Sequence, residues 1–121
     1  MRKLVLGVAL AMGVASPAAA RMTLAEFLPR ANALQAKGAM ALFSRDLKPV
    51  MNEMKAVSAE MKAESEQRRA AGLPKRACPP EGTKLDSKQL LVMLNTIPPA
   101  ERGISVKDGL IRAMARRYPC R

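Results

Sequence analysis

The 121-residue chain contains no histidine and no tryptophan, and only one tyrosine and two phenylalanines. Without histidine it lacks the most frequent general base, the histidine-centred nucleophilic triads and the most frequent metal ligand. The ten carboxylates are spread along the chain, mostly close to Lys or Arg. Glu64 and Glu66 come near to an acid/base pair in sequence, but residues two apart on a helix do not face each other. No glycine-rich phosphate loop and no metal-ligand spacing is present. The expectation is a protein that is no enzyme and has no cofactor and no metal site. The shortage of aromatic rings also removes the stacking platforms of single-stranded nucleic-acid binders, so no nucleic-acid partner is expected. A core without large rings must be assembled from Leu, Met, Val, Ile and Ala.

Long apolar runs are absent after the first twenty residues. "MRK" followed by "LVLGVALAMGVA" and "SPAAA" has a positive start, an apolar stretch of about twelve residues and small residues where a signal peptidase reads. The apolar stretch falls short of the roughly 20 residues of a bilayer span. Residues 1–20 are therefore expected to be a signal peptide cleaved after Ala20. No transmembrane span is expected after its removal, and the expected location is the periplasm. The remaining 101 residues, 21–121, are one small domain. Loss of Arg2 and Lys3 lowers the formal net charge from +11 to +9. The positive charge is densest at Arg68-Arg69, Lys75-Arg76 and Arg116-Arg117 with Arg121, a bias that favours anionic partners.

What is present is helical periodicity. Thr23 and Glu26 form a capping-box signature ahead of Leu24, Phe27, Leu28, Ala31 and Leu34, with Pro29 inside the pattern and Gly38 at its end. "AMALFSRDLKP" reads as an apolar connector or one further turn. Residues 49–71 read as a long helix, with Pro49 in its first turn and Val50, Met54, Val57 and Met61 as one apolar stripe. Beyond Met61 the helix is polar, and Lys62 with Glu66 and Glu64 with Arg68 stand at pairing distance in sequence. This stretch reads as a solvated end, closed by Gly72 and Pro74.

Asp86 and Gln89 open a compact helix carrying Leu90, Leu91, Leu94 and Ile97, and Pro98-Pro99 stop it. Ser105 and Asp108 open a last helix with Val106, Leu110, Ile111 and Met114 on its buried side, ending at Tyr118-Pro119. No strand alternation appears. The fold class expected is all-α, a small bundle of four to five helices with one disulfide bracketing the last two. Met54, Met61, Met93 and Met114 fall at apolar helical positions and are expected to pack in the core.

The two cysteines, Cys78 and Cys120, are expected to pair in an oxidising compartment. There is no CxxC motif, and no histidine to activate a thiolate. The bond would join residues 42 apart in sequence.

The C-terminal half also carries a pattern: Cys78-Pro-Pro-Glu-Gly82, a helix opening at Gln89-Leu90, a turn with Pro99 and Arg102, then Ala113, Ala115 and Tyr118-Pro119-Cys120. Over residues 78–120 only, and as a diverged relative would, this resembles the Tai-type family. Those are small exported immunity proteins that neutralise peptidoglycan amidase toxins of type VI secretion. The resemblance implies a periplasmic protein-binding module that inhibits a secreted cell-wall amidase by occluding its cleft. Another periplasmic protein as partner, or a homodimer, fits the same small helical build. A stress or holdase-type protein and a basic envelope-binding protein are the alternatives that composition leaves open.

Closing a loop of this length contributes about 3–4 kcal/mol on the chain-entropy account. Reduction, or Cys120→Ser, is expected to lower the melting temperature by several degrees, read by thermal circular dichroism. An unchanged melting temperature would show that the bond carries no stability.

Overall fold

A computed structural model describes residues 21–121. The expected signal peptide and its cleavage after Ala20 lie outside the described residues. The described residues form four α-helices: α1 (Leu24–Lys37), α2 (Leu47–Ala70), α3 (Ser87–Asn95) and α4 (Val106–Arg117). Two 3-10 turns, Gly38–Phe43 and Pro99–Glu101, join α1 to α2 and α3 to α4. Helices α1 and α4 each pack on all three others, whereas α2 and α3 share no substantial contact. The all-α bundle and the disulfide bracketing the last two helices are as expected. Among the described residues, no helix is long and apolar enough to cross a membrane.

The start of α1 shows why the bundle assembles as it does. The first four N–H groups of a helix have no partner inside it. Here Leu24 donates to the Ile104 carbonyl at 2.8 Å and Ala25 to that of Arg102 at 2.8 Å. Glu26 donates to the Thr23 hydroxyl at 3.2 Å, and Phe27 to the Thr23 carbonyl at 2.9 Å. Two of the four acceptors therefore come from the loop that leads into α4. Ser105, beside that loop, caps α4 by accepting from Asp108 N–H at 3.1 Å. Thr23 and Ser105 face each other as an isolated antiparallel bridge. Both expected N-caps are present, and they are neighbours in space.

Pro29 does not delay α1, which runs unbroken from Leu24. A proline there removes the donor to the Ala25 carbonyl, and both residues are exposed, so water can take that acceptor. Helix α2 begins two residues before the expected start and holds Pro49 in its first turn, where its missing N–H costs nothing. Helix α3 has a complete capping box: Gln89 N–H donates to Asp86 Oδ1 at 2.7 Å and Asp86 N–H to Gln89 Oε1 at 3.0 Å. Arg102 holds the end of α3: Nη2 reaches Asn95 O at 3.2 Å, and Nε reaches the carbonyl of Ile97, two residues beyond the helix, at 2.8 Å.

The core is Met22, Leu24, Phe27, Leu28 and Ala31, with Val50, Val57, Leu94, Ile97, Val106, Leu110 and Ala113. Met54, Met61, Met93 and Met114 pack against it, as do Leu34, Leu90 and Leu91. Gly109 lets α4 come close to α1 and to the end of α3. A Cβ there would stand 2.9 Å from a methyl of Leu24 and 3.6 Å from Ile97. Asn32 and Asn95 exchange side-chain amide hydrogen bonds at 3.0 and 2.9 Å, tying α1 to the end of α3.

One carboxylate departs from the expected pattern of exposed charges. Glu53 lies three residues after Val50 and four before Val57, on the buried stripe of α2, and is 2% exposed. Its Oε1 accepts from Arg21 Nε at 3.2 Å, and the same guanidinium pairs with Glu60. A buried carboxylate with its partner removed keeps its desolvation cost and loses its compensation. Arg21→Ala is expected to lower stability by about 1–3 kcal/mol, measured by urea unfolding with the disulfide intact. Adding Glu53→Met should restore most of that loss. No loss in the single variant would show that the carboxylate does not depend on Arg21.

Candidate functional site

The long polar end of α2 is one wall of a groove. Helix α2 closes in a Schellman motif: Leu73 N–H donates to Arg68 O at 2.9 Å and Gly72 N–H to Arg69 O at 3.1 Å. Gly72 has φ +69°, a left-handed conformation open to glycine at no steric cost. The Arg68 guanidinium then donates twice to the Pro74 carbonyl, at 3.1 Å from Nε and 2.8 Å from Nη2. These bonds turn the chain back along α2, so the segment after Pro74 becomes the opposite wall.

The disulfide fixes that second wall. Cys78 and Cys120 are bonded with their Cα atoms 4.9 Å apart. Cys78 N–H also donates to Tyr118 O at 2.8 Å, and Cys120 Sγ touches Lys75 O at 3.4 Å. The bond brackets α3 and α4 in sequence, and its contacts show which segments it holds. In the structure the bond acts on the linker between α2 and α3, pinning it over the end of α4. Helix α3 begins nine residues after Cys78, too far along the chain to be the element directly held.

Between these walls lies a cavity of about 530 Å³. Met61 from α2 and Ile111 and Met114 from α4 form its floor, with Leu73, Ala77 and Pro79 from the linker at its side. Arg68, Arg69, Lys75 and Arg76 stand around it with Glu64 as the one acidic lining residue. The i,i+4 pairs read from the sequence do not form here. Glu64 pairs instead with Arg76 at 2.9 Å and Lys107 at 3.7 Å, drawn inward by the fold rather than along its own helix. Lys62 and Glu66 make no ion pair among the described residues. Arg69 and Lys75 make no side-chain hydrogen bond or ion pair among the described residues and are free to meet a ligand. The groove can take an apolar group on its floor and an anionic group at its rim.

The positions that carry the family-like pattern have structural work in this fold. Gln89 completes a cap, Arg102 holds the end of α3, and Tyr118 accepts from Cys78. Gly82, at φ +83°, sits in the turn where Thr83 N–H donates to Pro80 O at 3.1 Å. No three metal-ligating side chains converge among the described residues. No family model matches the chain, and no curated protein or solved structure matches it at a significant level. The Tai-type resemblance thus stands on the pattern of residues 78–120 alone. Sequence reasoning had found the basic pairs and the methionines separately. What it missed is that the Schellman turn at Gly72 brings them to one place.

Cys78 is the linker's one covalent tie to the end of α4, so breaking the disulfide should loosen the backbone around the exposed Lys75 and Arg76 enough for trypsin to cut there. Reduction is expected to speed cleavage at those two residues by at least about tenfold under conditions where the core stays folded, since cleavage follows local opening. Mass spectrometry of early fragments reads this. Equal rates before and after reduction would show that the linker is held by other contacts.

Proposed function

We propose that this protein is an exported, non-enzymatic binding module whose basic-rimmed groove takes an acidic, apolar-bearing segment of a partner protein. The observation that carries this reading is the groove itself. Its floor of Met61, Ile111 and Met114 is apolar, and Arg69 and Lys75, unpaired among the described residues, stand at its edge. Methionine floors adapt to differently shaped apolar side chains, and a rim of one sign of charge speeds encounter with a partner of the other. The Tai-type resemblance supplies the partner class: a secreted peptidoglycan amidase, inhibited in the periplasm by occlusion. The disulfide agrees with an oxidising compartment.

The test uses the mature protein with its disulfide formed. The parent protein should inhibit hydrolysis of peptidoglycan by a type VI amidase effector and protect cells into whose periplasm that effector is delivered. Arg69→Glu with Lys75→Glu should weaken binding by at least about tenfold, with the parent's salt dependence reduced and its helical circular dichroism unchanged. Neither inhibition nor protection by the parent, across the effectors of that class, would overturn the amidase reading. Equal binding by parent and variant would remove the groove as the contact.

A further inference from the structure

The 3-10 turn Gly38–Phe43 carries the most exposed large apolar side chains of the described residues. Phe43 is 82% exposed, Leu42 73% and Met40 64%. None of the three belongs to the core or to the residues packed against it. In a 3-10 turn residues three apart eclipse, so Met40 and Phe43 stand one above the other, with Leu42 to the side. The result is a protruding apolar tip on the side of the chain that joins α1 to α2.

Basic residues flank it. Lys37, the last residue of α1, donates from Nζ to Ser44 Oγ at 3.2 Å, which sets its ammonium beside the base of the tip. Arg45 follows directly, and Lys48 stands in the first turn of α2. Arg45 and Lys48 share a shallow cleft with Arg21 and Arg30, in which Glu26 is the acidic member. Asp46 is the one acidic residue between Lys37 and Lys48. A positively flanked apolar protrusion is the pattern of an interfacial membrane anchor.

We propose that the Met40–Leu42–Phe43 tip inserts into the surface of an anionic phospholipid bilayer, with Lys37, Arg45 and Lys48 over the headgroups. Two features favour a bilayer over other occupants. A protrusion needs a matching pocket on a protein partner, whereas a lipid surface accepts any apolar tip of this size. A second copy meeting this one through the same patch would bring two sets of Lys37, Arg45 and Lys48 together, because a two-fold contact pairs each patch with itself. Opposite charge on the partner is supplied by anionic headgroups. The site is separate from the groove, so membrane attachment and partner binding can occur at once.

The absence of tryptophan from the chain makes the test direct. Phe43→Trp places a single tryptophan at the tip, and its emission should shift to the blue with vesicles of phosphatidylglycerol and phosphatidylethanolamine, but not with phosphatidylcholine alone. The parent protein should sediment with the anionic vesicles and be released as salt rises. Leu42→Ser with Phe43→Ser should weaken binding by at least about tenfold, with the melting temperature unchanged because both side chains are outside the core. Lys48→Glu should also weaken it. No blue shift, or equal sedimentation of the parent and the serine variant, would overturn the proposal. A blue shift that depends on protein concentration without vesicles would overturn it in favour of self-association.

Discussion

The first turn of α1 is where this fold closes. A helix must find partners for its leading N–H groups, and α1 takes two of them from the carbonyls of Arg102 and Ile104. That places the start of α1 against the start of α4. Leu24 can then lie in the space left by Gly109, with Ile97 from beyond α3 at the same point. Caps, close packing and chain crossing coincide there, and the order of the bundle follows. With α1 and α4 crossed in this way, α2 and α3 have separate flanks to cover. Arg102 takes part twice, since its backbone carbonyl accepts from α1 while its guanidinium holds the end of α3.

Much of this architecture is legible in the sequence because it rests on local chemistry. Thr23, Asp86 and Ser105 announce helix starts through their own side chains, and the apolar spacing of Leu24 to Ala31 or of Val106 to Leu110 declares one buried face. Two kinds of fact are not legible. Glu53 lies at core spacing but is acidic, and only the approach of Arg21, thirty-two residues earlier, makes its burial tolerable. Glu64 has a ready partner four residues on, yet pairs with Arg76 and Lys107. Both depend on contacts between distant segments, which helical periodicity does not encode. Exposure of Leu42 and Phe43 is hidden for the opposite reason: an apolar connector reads as packing material until the fold is seen to leave it outside.

The groove also changes the meaning of the basic residues. As isolated dipeptides, Arg68-Arg69 and Lys75-Arg76 are a general bias of charge. The turn at Gly72 folds them towards each other across six residues, over a floor supplied by α2 and α4. Arg68 and Arg76 are engaged in holding the walls, by hydrogen bonds to Pro74 and an ion pair with Glu64. Arg69 and Lys75 are the residues left over. Structural and recognition roles are thus divided among neighbouring cations of the same type, a division that substitution by charge alone would obscure.

The disulfide closes a ring from Cys78 to Cys120 that contains both α3 and α4. Terminal helices are usually the first part of a domain to fray, starting from the free end. Here α4 has no free end to peel. Its last residues are joined covalently to the far side of the linker, and α3 lies within the same ring. The last turn of α4 and the linker must therefore loosen together, so the end of the helix shares its local stability with the wall of the groove.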